Sequence, residues 1–336
     1  MENTLTCMHC GEIILNTSNF GGDEFPLCNR CSSLYVTCED CGRMILESTA
    51  RYPEDSDYPY CADCFANHED NRIIHDYYYK PKPVFFGEGP RYFGVELEID
   101  GAGEDECYAE RILNIANNGA PARMYAKHDG SLEDGFELVT FPLSIDYHMK
   151  EMPWDKILYK ARDLGYTSHS YGTCGLHVHV SRKAFGDTVE DQDACIARIL
   201  YFFEAHWNEL LRFSRRTESQ LNQWAARYGF KTQPKEILDH AKKGYGNGRY
   251  TSINLMNAET IEFRIFRGTL KLNTFLATLQ LVDYICDVAL FMSDDEIKKL
   301  SWSAFVTGIK QPELIQYLKE RSLYINEPVR ITEEEM

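Results

Sequence analysis

Eight of the twelve cysteines form four Cys-x-x-Cys pairs within the first 64 residues. The pairs are Cys7/Cys10, Cys28/Cys31, Cys38/Cys41 and Cys61/Cys64. Two residues between cysteines allow both sulfurs to face one ion, and a tetrahedral zinc ion binds two such pairs. Seventeen residues separate the first pair from the second, and nineteen separate the third from the fourth. Sequential pairing therefore predicts two structural Zn²⁺ sites.

The cysteine-rich segment is an internal repeat. The stretches "CMHCGEIIL" and "CEDCGRMIL" align residue for residue, with Gly11 and Gly42 after the second cysteine of each. The arrangement resembles LIM-type, treble-clef and zinc-ribbon modules, with a longer connection than LIM domains have. A disulfide framework is the alternative, but nothing marks the chain as secreted. Closed four-sulfur sites leave no position for a substrate, so we expect the modules to bind a protein partner.

A second group of reactive residues lies on four predicted strands, each with an apolar face and a charged face. In "RYFGVELEID", for example, side chains two apart point the same way, which places Glu96 and Glu98 together. The charged faces of the four strands carry Glu96, Glu98, Glu137, His177, His179, Glu262 and Arg264. Carboxylates suit Mg²⁺ or Mn²⁺, imidazole adds a further ligand, and arginine suits phosphate. One sheet could therefore assemble a site for metal ions and an anionic substrate.

Helices are needed to cover the apolar faces of these strands. Apolar residues at helical spacing predict helices at 104–118, 155–164, 191–213, 273–292 and 311–321. The pattern predicts an α+β fold at 91–336, with a mainly antiparallel curved sheet and helices on one face. We expect the two cysteine modules at 1–34 and 35–75, and a linker rich in tyrosine and proline at 76–90.

The charge balance is strongly acidic. The net charge is −17, and the first 75 residues hold thirteen acidic residues, four arginines and no lysine. A nucleic-acid partner is excluded, because it would need concentrated lysine and arginine. The most apolar segment, 276–292, is interrupted by Gln280, Asp283 and Asp287, which favours an amphipathic helix over a membrane span. With no signal-peptide pattern either, we expect a cytoplasmic protein without a membrane partner.

Four segments together resemble a known family. In order, "FGVELEID", "DGSLEDGFELVTFPL", "GLHVHVS" and "IEFRIFRGTL" resemble the amidoligases, which belong to the carboxylate–amine ligase superfamily with glutamine synthetase and glutamate–cysteine ligase. The resemblance covers roughly residues 91–287 and implies a glutamine synthetase-like fold. It implies an enzyme that phosphorylates a carboxylate with ATP, after which an amine displaces phosphate to form an amide or peptide bond. ATP and Mg²⁺ (or Mn²⁺) would be its cofactors.

The resemblance also implies roles for individual residues. The metal ligands would be Glu96, Glu98, Glu137, His177 and Glu262. Arg264 would contact phosphate, and His179 would lie near the nucleotide or metal. Arg267 would reach the nucleotide only if its strand ends or bulges, because it lies an odd number of residues from Arg264. Arg215 and Arg216 are either phosphate or substrate contacts, or part of a solvated helix end. The substrate would be an amino acid, a peptide or a protein recruited by the zinc modules.

Two other functions stay open on the sequence alone. A metal-dependent hydrolase would use His177, His179 and a carboxylate to bind zinc and activate water. That function leaves Arg264 and the additional glutamates without a role. A non-catalytic adaptor would use the zinc modules for binding and the larger domain as a scaffold. Buried charges with no ligand would then be energetically costly.

Overall fold

The computed structural model describes residues 5–14, 25–53, 57–69, 72–119, 121–169, 172, 174–243 and 248–324. The chain divides into two compact units, Met1–Lys82 and Pro83–Met336. The division falls inside the segment 76–90 that the sequence predicts to be a linker. The predicted limits of the individual modules remain predictions.

The first unit contains two copies of one small architecture. Its strands are β1 (Leu5–Thr6), β2 (Ile13–Ile14), β3 (Tyr35–Thr37), β4 (Met44–Leu46) and β5 (Ile74–His75), and its helices are α1 (Asn29–Ser32) and α2 (Ala62–Glu69). Strands β1 and β2 form one antiparallel hairpin, and β3 and β4 form another. Each hairpin carries a Cys-x-x-Cys pair in its turn, and a helix begins directly after the first cysteine of the following pair. The repeat seen in the sequence is therefore a structural repeat.

The second unit is built on an antiparallel sheet. Its strands are β6 (Tyr92–Asp100), β7 (Met124–Lys127), β8 (Gly135–Thr140), β9 (Leu143–Ser144), β10 (Gly175–Ser181), β11 (Ile253–Asn254) and β12 (Thr260–Arg267). They lie in the order β11-β12-β10-β6-β8-β7, and β9 pairs with the beginning of β6. Strand β6 is thus central, with β10 on one side and β8 on the other.

Helices pack around the apolar side chains of this sheet. They are α3 (Glu106–Asn117), α4 (Ile145–Lys150), α5 (Trp154–Asp163), α6 (Val189–Ala205), α7 (Trp207–Ser214), α8 (Glu218–Trp224), α9 (Pro234–Lys242), α10 (Leu272–Phe291), α11 (Asp294–Lys299), α12 (Trp302–Thr307) and α13 (Pro312–Glu320). The alternate residues Val95, Leu97 and Ile99 of β6 are completely buried. The predicted fold class, an α+β domain with a mainly antiparallel sheet preceded by two small cysteine modules, is confirmed.

One predicted helix is wrong in its extent. The segment 191–213 forms two helices, α6 and α7, because the backbone leaves the helical region at His206 (φ −114°, ψ 30°). The His206 ring packs against Phe202 and Trp302, with ring centroids 4.6 and 5.8 Å apart. Apolar residues continue through the break, so periodicity could not reveal it.

Two of the polar residues that interrupt the apolar segment, Asp283 and Asp287 of helix α10, bind a buried arginine. Buried Arg91, which precedes β6, reaches both Asp283 and Asp287 at 2.5 Å. Among the described residues, α10 is the one helix long and apolar enough to cross a membrane. Of its most apolar window, 67% is buried inside the protein, as in the core helix of a globular domain.

Candidate active site and metal centres

The central strand β6 carries the first two glutamates of the site on its polar face. Glu96 lies opposite His177 of β10, and Glu98 lies opposite Glu137 of β8. The Glu98 carboxylate accepts a short hydrogen bond from the backbone N–H of Gly175, at the start of β10. Alternation along one strand and register between three strands therefore bring these groups together, as the sequence predicts.

Strands β10 and β12 complete the cluster from the other side. His179 lies opposite Glu262, and its Nε2 is 3.1 Å from Glu96 Oε1. The Nδ1 atom of His177 is 3.4 Å from Glu96 Oε2 and 3.7 Å from Glu262 Oε1. Its Nε2 is 3.7 Å from Glu98 Oε1. Histidines and glutamates that are far apart in sequence thus share one small region of the sheet.

The cluster offers three overlapping sets of metal-ligand atoms, each within 4.8 Å. The sets are Glu96/Glu137/His177, Glu96/His179/Glu262 and Glu98/Asp129/Glu137. Carboxylate oxygens dominate all three, and such donors favour Mg²⁺ or Mn²⁺ over zinc. The residues present therefore fit divalent cations on this face of the sheet.

Burial makes this concentration of carboxylates unfavourable without cations. Burial raises the pKa of Glu98, and burial together with the neighbouring Glu96 raises that of Glu137 well above its usual range. Burial also opposes ionisation of Glu96 and Glu262, but the nearby histidines outweigh it and lower both pKa values. The same carboxylates raise the pKa of His179 against its own burial. Bound cations would relieve this competition between carboxylates.

Two partners of the cluster were not predicted from the sequence. Lys127, opposite Glu137 in register, lies 3.2 Å from its Oε2. Asn254 of β11 donates from Nδ2 to Glu262 Oε2 at 2.8 Å. Lys127 ends an alternating segment and Asn254 precedes a turn, so each looks like an ordinary solvated residue in the sequence.

A bulge in β12 determines which way the side chains of Arg264 and Arg267 face. Between the pairs Leu176↔Phe266 and Val178↔Phe263, one residue of β10 faces two residues of β12, so β12 has an extra residue between Phe263 and Phe266. Arg264 donates a short hydrogen bond to Glu262. Arg267, at the end of the strand, is half-buried and lines a depression together with Arg215 and Arg216. Strand β12 bulges before Arg267 and ends at Arg267. Either feature allows the Arg267 side chain to leave the apolar face of the sheet.

Arg216 lies between this depression and the glutamate cluster. It is only 7% exposed, and its Nη2 donates to the carbonyl oxygens of Cys174 and Phe266 at 3.2 and 3.4 Å. A Cβ atom added at Gly175 would lie 3.1 Å from Arg216 Nη2 and 2.5 Å from His177 Nε2. The absence of a side chain at Gly175 therefore leaves room for both Arg216 and His177 beside the start of β10.

The cysteines of the first unit form two four-sulfur sets in the predicted sequential pairing. The sets are Cys7/Cys10/Cys28/Cys31 and Cys38/Cys41/Cys61/Cys64, with sulfurs within 4.8 Å of one another. The Cys10–Cys28 and Cys41–Cys61 sulfurs are 3.8 Å apart. Tetrahedral zinc at about 2.3 Å from each sulfur implies about the same separation. A disulfide would bring two sulfurs to about 2.0 Å. Both sets therefore fit structural zinc.

The turns around the sulfurs support the same interpretation. Cys7 and Cys38 occupy equivalent positions in the two modules. Gly11 donates its N–H to the carbonyl oxygen of Cys7, and Gly42 donates its N–H to that of Cys38, both at 2.9 Å. Both glycines have positive φ values, 76° and 66°. Burial opposes ionisation of Cys7 and Cys38, but backbone N–H groups around each sulfur lower both pKa values to about 6. In contrast, burial raises the pKa of Cys31, and a hydrogen bond with Cys61 raises that of Cys64. Zinc binds the thiolate form.

The second unit overlaps a family match. Residues 116–285 match the family described as "Putative amidoligase enzyme". A comparison with curated protein sequences finds no match. Among solved structures, a bifunctional glutathione synthetase from Pasteurella multocida is similar at 13% identity and TM-score 0.39, covering 69% of this chain and 46% of that one.

A second solved structure is the complex between the prokaryotic ubiquitin-like protein Pup and its ligase PafA. It is similar at 10% identity and TM-score 0.30, covering 69% of this chain and 56% of that one. The chain thus spans about half the length of the solved structures it matches. The family match covers about half of the chain and includes three of the four strand segments that form the cluster, so this protein belongs to the amidoligase family.

Proposed function

We propose that the protein is an ATP-dependent carboxylate–amine ligase that acts through an acyl phosphate. The observation that carries the proposal is the convergence of Glu96, Glu98, Glu137, His177 and Glu262 on one face of the sheet. Membership of the amidoligase family supports the same chemistry. Phosphoryl transfer depends chiefly on positioning and on neutralising charge, which these residues could supply with bound cations.

The proposed reaction has two steps. A substrate carboxylate oxygen attacks the γ-phosphorus of ATP, and ADP leaves with the bridging oxygen. The amine then attacks the acyl carbon, the C–O bond breaks, and phosphate leaves with the oxygen that came from the carboxylate. The amine loses a proton to complete the amide. When bound, Mg²⁺ or Mn²⁺ would offset the phosphate charge.

The residues of the chain have separate roles in this scheme. The carboxylates and His177 would hold the cations, and Arg264 would bind phosphate oxygens beside Glu262. His179, whose Nε2 is 3.1 Å from Glu96 Oε1, would lie near the nucleotide or the metal. Asp129, which shares a donor set with Glu98 and Glu137, would orient the amine or a metal ion.

The hydrolase alternative finds less support. A zinc hydrolase would require His177 and His179 in one ligand set. Among the described residues, no three-residue donor set contains both histidines. Each histidine instead belongs to a set made mainly of carboxylates, which supports the ligase proposal.

The test is ADP release from ATP and Mg²⁺ with a pool of amino acids and peptides. We expect release that depends on substrate and falls at least about a hundredfold in Glu96→Gln and Glu262→Gln. The matched control is Glu110→Gln, an exposed position on α3. Substrate labelled with ¹⁸O in its carboxylate should transfer one label to the released phosphate. Substrate-dependent ADP release without label in phosphate would contradict the acyl phosphate.

The substrate class is part of the proposal. We infer that the carboxylate or amine belongs to an amino acid, peptide or protein, and that the zinc modules help to recruit it. Two closed four-sulfur modules leave no position for chemistry, which supports a recognition role. Comparing ADP release with free amino acids, short peptides and folded proteins would test this part. Equal rates with all three would contradict recruitment.

A further inference from the structure

Five arginines line one depression of about 550 Å³ in the second unit. They are Arg212, Arg215, Arg216, Arg267 and Arg321. They come from the end of α7, the end of β12 and the residue after α13. No acidic side chain lines the depression, although the chain carries a net charge of −17. We call this feature the arginine pocket.

The guanidinium groups of the arginine pocket form their hydrogen bonds with neutral carbonyl oxygens. Within the described part of the chain none of the five forms an ion pair with a carboxylate. Arg321 donates to the carbonyl oxygen of Arg212 at 2.9 Å, and Arg212 donates to that of Ser322 at 3.3 Å. Arg215 donates to the carbonyl oxygen of Gly268 at 3.3 Å. The positive charges therefore remain available to an anion.

At the base of the pocket, two guanidinium nitrogens lack hydrogen-bond partners. Arg216 is 7% exposed, and its Nε has no hydrogen-bond partner. The Nε of Arg267 has none either. Burial and the charge of neighbouring arginines lower the pKa values of Arg215 and Arg216, and the charge of Glu98 offsets this only in part at Arg216. A buried guanidinium with an unused donor is unfavourable unless an anion binds it.

The lining of the pocket indicates which anion fits. It contains no aromatic side chain, and Leu211 is its one apolar residue, so it offers no surface for a nucleotide base. Guanidinium forks bind carboxylates and phosphates alike through two parallel hydrogen bonds, so the form of the pocket alone does not choose between them. The charge of ATP phosphates would already be met by cations on the glutamate cluster. Several carboxylates on one molecule therefore match the arginine pocket better than a nucleotide does.

We propose that the arginine pocket binds an acidic peptide through at least two of its carboxylates, while another carboxylate of the same peptide reaches the glutamate cluster. The proposal rests on the ligase function and specifies its substrate. Arg216 supplies the connection, because it lines the pocket and also lies beside Gly175 and His177. The pocket extends from exposed Arg212 to buried Arg216, so a peptide could enter from solvent. Arg215 and Arg267 are thereby assigned to the substrate and not to the nucleotide.

The test is calorimetric titration of the full chain with tri-glutamate, tri-glutamine and a non-hydrolysable ATP analogue, each with Mg²⁺. We expect tri-glutamate to bind and tri-glutamine not to bind. Arg212→Gln and Arg267→Gln should each weaken tri-glutamate binding about ten-fold, the loss expected for one charge-assisted pair. Affinity for the ATP analogue should stay within about two-fold. The matched control, Arg162→Gln at an exposed position of α5, removes the same charge and should change the binding of neither ligand.

Other outcomes separate this proposal from the ligase function. Absence of tri-glutamate binding would overturn the peptide proposal, and so would variants that weaken only the ATP analogue. Arginine-dependent tri-glutamate binding without any ADP release would support the pocket and count against the ligase function. Thermal unfolding of each variant checks its fold. Arg212→Gln, at the exposed mouth, carries the test if Arg267→Gln is destabilised.

Discussion

At the scale of single residues, the site depends on buried carboxylates that are held by specific donors. Glu262 is 3% exposed, and its Oε2 accepts from Asn254 Nδ2 at 2.8 Å and lies 3.4 Å from Asn257 Nδ2. Asn254 also accepts from the backbone N–H of Met256 at 2.9 Å. Such short contacts to a charged group contribute more than ordinary hydrogen bonds.

The two asparagines form a matched pair for mutation. We expect Asn254→Ala to lower the free energy of unfolding by about 2 kcal/mol, because a buried carboxylate loses its donor. Asn257→Ala should cost less than about 1 kcal/mol, since its contact is long. Urea unfolding measures both values. Equal effects of the two substitutions would show that Asn254 does not hold Glu262.

His148 makes stability depend on pH. It is fully buried on α4, and its Nε2 donates to the carbonyl oxygen of Phe93 at 3.1 Å. Burial lowers its pKa from 6.5 to about 4. The unfolded chain therefore binds the proton first, and the stabilising contribution is complete above pH 6.5 and lost as the pH falls towards 4.

This shift predicts a loss of about 2 kcal/mol between pH 7 and pH 5 that is due to His148 alone. Urea unfolding at both pH values, for the natural chain and for His148→Gln, gives the difference. Glutamine can still donate to Phe93 but does not titrate in this range. A fall of the same size in the variant would assign the pH dependence to other groups.

At the scale of elements, close approach at the beginning of β10 controls the geometry of the cluster. Gly175 lies where a Cβ would meet His177 Nε2 at 2.5 Å, whereas a Cβ at Gly94 of the neighbouring β6 would meet His179 Cβ at an ordinary 3.5 Å. The two glycines lie beside the two histidines of one site, but only Gly175 lacks room for a side chain.

We therefore expect Gly175→Ala to reduce ADP release about a hundredfold, because a small displacement of His177 misplaces the ligand set. Gly94→Ala should retain most of the activity. Thermal unfolding monitors the fold of both variants. Full activity in Gly175→Ala would show that ADP release does not depend on the position of the His177 side chain.

Elements also show what sequence reasoning could and could not predict. The alternation of β6 and β10 correctly placed Glu96, Glu98, His177 and His179 on one face, because period two is a local property of the strand. Pairing register is not local, so Lys127 opposite Glu137 was missed. The bulge in β12, which redirects Arg267, has no signal such as a glycine within "EFRIFR". Arg321 reaches the arginine pocket from beyond α13, which only tertiary packing reveals.

At the scale of the whole molecule, the chain carries two kinds of candidate metal-ligand set in separate units. Sulfur donors lie in Met1–Lys82, and the carboxylate sets lie in Pro83–Met336. Soft and hard ligands select different metals, so each unit should keep its own ion when both are present.

This separation predicts two zinc ions per chain by atomic absorption after exhaustive dialysis against Mg²⁺. Cys10→Ser and Cys41→Ser should each retain one, since each removes a ligand from only one four-sulfur set. Cys107→Ser, at an exposed cysteine outside both sets, is the control and should retain two. Loss of both ions from a single substitution would show that the two modules fold as one.

The glutamate cluster takes its members from positions 96 to 262, and the arginine pocket extends to position 321. The cluster cannot form on a nascent chain until residue 262 has left the ribosome, and the pocket cannot form until residue 321 has left it. The cysteine modules, whose ligands end at position 64, can bind their ions much earlier. Synthesis from the N-terminus would thus allow the cysteine modules to fold before the glutamate cluster can form, and premature termination would leave the modules without the cluster.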